Sequence, residues 1–144
     1  MSEEPAVRGV RLPEEEVKKL ATLFEDEKNI LVAYLFGSYA KGVETLQSDV
    51  DIAVLLSEVP EKLLEYYLHL ERKLAEALKK DVDLVFLNDA PPLLKYQVIK
   101  YGRLLFSRDE RARVTFEAKS LCEYLDFSRA LKRYNECLMR RVLA

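Results

Sequence analysis

The chain has 144 residues, of which 49% are hydrophobic and 33% are charged, and its formal net charge is −2. This composition predicts one folded domain with a single hydrophobic core, and it excludes a disordered chain. The slightly acidic balance also disfavours a protein that binds nucleic acid by broad neutralisation of phosphates. No apolar run is long enough to cross a bilayer and no signal peptide is recognisable, so we expect a cytoplasmic protein.

The first half of the chain predicts one helix followed by two strands. Pro13 and the three glutamates after it begin a helix, because proline and acidic residues are both favoured in the first turn. Residues Ile30–Phe36 form an unbroken apolar run typical of a buried strand, and a second run extends from Asp49 to Leu56. Too few residues separate the two runs for a long crossover, so we expect antiparallel neighbours.

The second half predicts helices that alternate with strands. Pro60 begins a helix whose apolar residues recur at helical spacing. A strand follows over residues 81–87, then a helix from Pro91 towards Gly102, and then a short edge strand over residues 103–106. The predicted fold class is therefore α/β, with a small mixed sheet and helices packed on one side of it.

The C-terminal part predicts a helical tail. We expect a core over residues 1–107 and a C-terminal helical extension over residues 108–144 that packs on it, as a single domain overall. Helical patterning occurs twice in this extension, and Asp126-Phe127-Ser128 predicts a break between two helices. Ser128 would be the N-cap of the second helix.

A Gly-Ser pair ends the first predicted strand. Gly37 allows the backbone to approach a ligand closely, and Ser38 can cap a short helical turn whose free N–H groups face an anion. Phosphate suits such a position, although a Gly-Ser pair alone is more often a simple turn.

Two carboxylates open the second predicted strand. Alternation places Asp49 and Asp51 on one face of that strand, while Val50, Ile52 and Val54 point to the other. Like charges held this close repel, and partial burial raises at least one pKa unless a cation neutralises them. Mg²⁺ is the natural candidate, because it binds carboxylate and phosphate oxygens.

A third carboxylate, Asp83, lies inside the third predicted strand. Its apolar neighbours indicate that it is buried, which calls for an explanation. Asp81 shares its face by alternation, but it follows Lys79 and Lys80 at the start of the strand, where a solvated turn residue is the simpler interpretation. We therefore prefer Asp83 as the third site residue.

These residues together resemble a known family. Gly37-Ser38, ten intervening residues, Asp49-Val50-Asp51 and the later Asp83 resemble the nucleotidyltransferase superfamily that includes DNA polymerase β. The small size, the sequence GSYAKG and the tail after Gly102 resemble the minimal nucleotidyltransferases, or MNT proteins. These are the antitoxins that accompany HEPN-domain ribonuclease toxins.

The resemblance implies a role for each residue. Gly37 and Ser38 would bind the triphosphate of ATP, Asp49 and Asp51 would ligate two Mg²⁺ ions, and Asp83 would join the catalytic metal and help to activate the attacking hydroxyl. All three aspartates would thus be catalytic and metal-binding. The implied reaction is transfer of AMP to a tyrosine hydroxyl of a HEPN toxin, with which the chain could form a hetero-oligomer, or a homo-oligomer with itself.

Two other functions stay open on the sequence. A small-molecule nucleotidyltransferase of the aminoglycoside-modifying kind uses the same metal chemistry, but it needs an acceptor pocket that such enzymes build from a larger additional domain. A non-catalytic antitoxin would act by binding alone. The intact carboxylates argue against this second reading, since an unused cluster of charges destabilises a fold.

Overall fold

Four strands and four α-helices make up residues 12–37 and 49–143, which are the residues described by a computed structural model. The predicted site residue Ser38 lies outside these ranges. The helices are α1 (Glu14–Asp26), α2 (Leu63–Leu78), α3 (Pro92–Tyr101) and α4 (Glu110–Leu143), and the strands are β1 (Ile30–Phe36), β2 (Val50–Leu56), β3 (Val82–Phe86) and β4 (Arg103–Ser107). A short 3₁₀ helix, Leu87–Asp89, follows β3.

The strands form one mixed sheet in the order β3-β2-β1-β4. β1 pairs antiparallel with both β2 and β4, and β2 pairs parallel with β3. The structure confirms four predictions of the sequence: the α/β class, the mixed sheet, the antiparallel pairing of the first two strands and the edge position of β4. The order also places β3, the strand that carries Asp83, at the other edge.

Helices cover both faces of the sheet, so the prediction that they pack on one side was wrong. The first face is covered by α1 and α2, through a cluster that contains Leu20, Phe24, Leu70, Leu74, Val50, Ile52 and Val54. The second face is covered by α3 and the first part of α4, through a cluster that contains Val32, Tyr34, Ala53 and Val98, with Phe116 packed against it. The central strands are apolar at consecutive positions, and such strands require cover on both faces.

The C-terminal extension is one continuous helix, so the predicted break at Asp126-Phe127-Ser128 was wrong. α4 runs without interruption for 34 residues. Asp and Ser are only mildly unfavourable inside a helix, and no Gly or Pro is present to end it. Residues 125–143 are exposed, so only the first half of α4 packs against the core. Within the described ranges, no helix is both long and apolar enough to cross a bilayer.

A polar network attaches the first half of α4 to the central strand. The buried Tyr34 hydroxyl donates a 2.7 Å hydrogen bond to Glu117 Oε2. Arg113 donates to the same Glu117 oxygen at 3.0 Å and to Glu110 at 2.6 Å. Burial, together with Glu117, raises the pKa of Tyr34, so this hydroxyl stays protonated and acts as the donor. The network therefore attaches α4 to β1 on the second face of the sheet.

We predict that Leu74→Ala lowers the free energy of unfolding by about 2–5 kcal/mol, because it leaves a cavity beneath the sheet. Leu74 is 0% exposed, whereas Leu64 on the same helix is 69% exposed. Leu64→Ala is the matched control and should change stability by less than about 0.5 kcal/mol. Urea denaturation followed by circular dichroism measures both, and equal effects would contradict the assigned face of α2.

Candidate active site

Gly37 lies immediately beyond the end of β1, against the carboxylate of Asp51. In the β1–β2 ladder Phe36 is paired with Asp51, which brings the next residue, Gly37, beside this side chain. Gly37 has a φ of 75°, a backbone conformation that favours glycine. A Cβ atom at this position would collide with Asp51 Oδ2. The glycine is thus required by the position of a catalytic candidate, in addition to any close approach of a ligand.

Asp51 and Asp83 are direct neighbours across two parallel strands. The β2–β3 register pairs them, and their carboxyl groups lie within hydrogen-bonding reach of each other. Asp51 is half-buried, but Asp83 is exposed. The expectation that Asp83 is buried was therefore wrong, because β3 is an edge strand and leaves this side chain open to solvent.

The site concentrates negative charge around Asp51. Burial is the largest cause that raises the pKa of Asp51 to about 6, and the charges of Asp83 and Asp49 and the hydrogen bond with Asp83 raise it further. A shared proton relieves this repulsion at mildly acidic pH, and a cation would relieve it at neutral pH. The structure therefore contains the conflict between carboxylates that the sequence predicted.

Asp49 and Asp81 directly precede β2 and β3, so both lie at the N-terminal ends of these two parallel strands. Asp49 is exposed and directly precedes β2, and the backbone N–H of the next residue, Val50, donates to Asp81 O at 3.0 Å. Both aspartates line one cavity together with Asp83. The structure thus brings Asp49, Asp51 and Asp83 to one end of the sheet, beside Gly37.

The carboxylates fit a site that is completed by substrate. Across residues 12–37 and 49–143, no three His, Cys, Asp or Glu side chains are grouped to hold a metal ion by themselves. Mg²⁺ commonly takes only one or two carboxylates and fills its remaining positions with water and substrate phosphates. The adjacent Asp51 and Asp83 provide that donor set, since they are paired across β2 and β3.

Helix α2 contributes side chains near the site that the sequence analysis did not identify. Glu71 and Arg72 line the cavity beside Asp83. Tyr67 lies one turn before Glu71 and packs edge-on against Phe86, with 5.7 Å between the ring centroids. Burial, followed by the charges of Glu71 and Asp83, raises the pKa of the Tyr67 hydroxyl. The four-residue spacing of Tyr67 and Glu71 places both on one helix face, a signal that could have suggested a shared environment.

Comparison with known proteins gives a consistent result. The family model "Polymerase beta, Nucleotidyltransferase" matches residues 18–111. The chain is 35% identical over 109 residues to the protein adenylyltransferase MntA of Shewanella oneidensis, and the match covers 76% of each chain.

Solved structures show the same likeness. A crystal structure of a toxin–antitoxin with AMP-PNP contains a chain that is 31% identical, with a TM-score of 0.66 over 89% of this chain and 98% of that one. Another is a complex of the tri-AMPylated Shewanella oneidensis HEPN toxin with its MNT antitoxin. The match to it is 29% identical, with a TM-score of 0.63 over 91% of this chain and 98% of that one.

We predict that, in EDTA, Asp51→Asn has a larger free energy of unfolding than the wild type at pH 7 and that this difference narrows towards pH 4. Folding raises the pKa of Asp51 from 3.8 to about 6, so the folded state binds the proton more tightly than the unfolded state. The group therefore favours folding at low pH, and this contribution is lost as pH rises through about 6.

Chemical denaturation at several pH values measures this difference. Asp26→Asn removes an exposed carboxylate from α1 and controls for the loss of one negative charge. A stability difference between Asp51→Asn and wild type that is the same at pH 4 and pH 7 would contradict the assigned charge cluster.

Proposed function

This chain belongs to the polymerase β nucleotidyltransferase family, and we propose that it transfers AMP from ATP to a tyrosine hydroxyl of a HEPN toxin, which it thereby neutralises as an antitoxin. The observation that carries the proposal is the grouping of Gly37, Asp51 and Asp83 at one end of the sheet. The adenylyltransferase relative and the similar chains solved with a HEPN toxin or with AMP-PNP support the same reaction, partner and substrate.

Each predicted residue has a place in this proposal. Gly37 and Ser38 would bind the triphosphate, and Ser38 follows Gly37 directly in sequence. Asp49, Asp51 and Asp83 would hold two Mg²⁺ ions. When bound, these ions supply charge neutralisation at the phosphates and lower the barrier to deprotonation of the attacking hydroxyl.

The reaction is an in-line displacement at the α-phosphorus of ATP. The acceptor oxygen forms a bond to this phosphorus, the bond to the bridging oxygen of the β-phosphate breaks, and pyrophosphate leaves. The exposed Asp83 would accept the hydroxyl proton, because it lies on the edge strand β3, from which the acceptor would arrive. The half-buried Asp51 would be a ligand of Mg²⁺, whose charge is what allows the phosphate to lie beside this carboxylate.

The cellular setting follows from the same proposal. The chain would act in the cytoplasm as a hetero-oligomer with its toxin, and residues 1–107 would form the catalytic core. Residues 108–144 would be an extension of that core, in line with the exposed outer half of α4. The tri-AMPylated toxin of the Shewanella complex supports repeated transfer to one acceptor.

We predict that the purified chain, with ATP, Mg²⁺ and the HEPN protein encoded beside it, increases the mass of that protein by whole AMP units. Asp83→Asn should lower the initial rate by at least about 100-fold, because it removes the proton acceptor. Asp26→Asn is the matched control, since it removes an exposed carboxylate on α1 and should leave the rate unchanged. Intact-protein mass spectrometry and thermal melting measure activity and folding together.

Two outcomes would overturn the proposal. If the HEPN protein gains no mass while its toxicity is still relieved by Asp49→Ala plus Asp51→Ala, the chain acts by binding alone. If the HEPN protein stays unmodified while a small amino-alcohol is labelled with AMP, the chain is a small-molecule enzyme.

A further inference from the structure

The order of the strands separates the two sides of the reaction. Gly37 lies at the end of β1, Asp51 is on the neighbouring β2, and Asp83 is on β3 at the edge of the sheet. In-line displacement requires the attacking and leaving oxygens on opposite sides of the phosphorus. If pyrophosphate leaves on the Gly37 side, as the proposed function requires, then the acceptor must enter from the β3 edge.

A cavity opens at that edge, between α2 and β3. It is lined by Asp49, Glu71, Arg72, Ala75, Asp81, Val82 and Asp83. Its volume is about 510 Å³, which lies within the range of about 300–1,000 Å³ typical of small-molecule sites. Asp83 thus lines this cavity and is also the proposed acceptor of the hydroxyl proton.

Arg72 is the cation among the carboxylates of this cavity. Its side chain is exposed, and it forms no hydrogen bond or ion pair with the residues that the structure describes. The next residue, Lys73, instead pairs with Glu27 at 2.8 Å, and Arg113 pairs with two glutamates. Arg72 is therefore available for an anion, and its planar guanidinium can bind a phosphate through two parallel hydrogen bonds.

The positive charge continues along the same edge. A shallow groove that adjoins the cavity is lined by Arg72, Lys79 and Lys80, together with Ala75, Glu76 and Asp81. An unmodified tyrosine acceptor carries no anionic group that such a cation would recognise. An acceptor that already bears AMP does carry one, because the phosphodiester that joins the tyrosine to the ribose is negatively charged.

We propose that the cavity between α2 and β3 binds the AMP unit already attached to the acceptor, and that Arg72 holds its phosphodiester so that a ribose hydroxyl faces Asp83. In the second transfer, the ribose oxygen forms a bond to the α-phosphorus of a new ATP. The bond from that phosphorus to the bridging oxygen breaks, pyrophosphate leaves, and Asp83 accepts the proton. Arg72 is thus a positioning residue for elongation. This inference rests on the proposed function.

The test compares the second transfer with the first. Unmodified HEPN protein and HEPN protein that carries one AMP, prepared with limiting ATP, are each incubated with ATP, Mg²⁺ and the chain, and mass spectrometry gives both initial rates. Arg72→Gln should lower the ratio of the second rate to the first by about 10-fold or more, because a hydrogen-bonded ion pair with phosphate is lost. Arg72→Lys should recover part of this loss, since it keeps the charge without the planar fork.

The control is Arg111→Gln, which removes an exposed arginine from α4 and should leave both rates and their ratio unchanged. An unchanged ratio in Arg72→Gln, whether both rates stay the same or fall together, overturns the inference. A wild-type chain that adds one AMP and then stops also overturns it while the proposed function stands. A wild-type chain that adds none overturns both. Thermal melting confirms that each variant is folded.

Discussion

The structure depends on one constraint, the in-register placement of Asp51 and Asp83 on neighbouring parallel strands beside Gly37. Two carboxylates held this close destabilise the fold unless a proton or a cation lies between them. Burial, followed by the charges of Asp83 and Asp49, raises the pKa of Asp51 to about 6. A ligand that supplies positive charge is therefore bound more tightly by the folded state than by the unfolded state, and its binding stabilises the folded state. The fold therefore keeps these carboxylates together at the expense of stability when no cation is bound.

The rest of the fold stabilises the strands against this repulsion. β1 and β2 are central in the sheet and are covered on both faces, so their register cannot shift without exposing a core cluster. The guanidinium of Arg108 donates to Phe24 O at 2.8 Å and to Ile30 O at 2.9 Å, which joins the end of α1 to the start of β1. The bond from Tyr34 to Glu117 holds β1 from its other face. These contacts keep Gly37 in place beside Asp51.

The sequence predicted the features that are written in local patterns and failed where the outcome depends on distant contacts. The apolar run of β1 and the alternation in β2 were sufficient to place Asp51 on one face and Val50 on the other. The apolar neighbours of Asp83 gave no sign that β3 is an edge strand, so its exposure was missed. Arg72 was missed because only tertiary packing brings α2 beside β3. The break near Ser128 was wrong because capping residues also occur inside helices when nothing ends them.

Charge is distributed unevenly along the β3 edge of the sheet, with carboxylates on the strands and Arg72 on α2. This distribution explains how one site could distinguish the triphosphate of ATP from the phosphodiester of a modified acceptor. The carboxylates of Asp49, Asp51 and Asp83 repel any polyphosphate that arrives without a metal, so on this proposal ATP enters only together with Mg²⁺. Arg72 carries positive charge of its own and can hold a phosphodiester with no metal present. The donor phosphate is then recognised through its cation and the acceptor phosphate through a side chain. Gly37 lies at the end of β1, whereas Arg72 lines the cavity beside the edge strand β3, so on this proposal pyrophosphate and acceptor do not compete for one position.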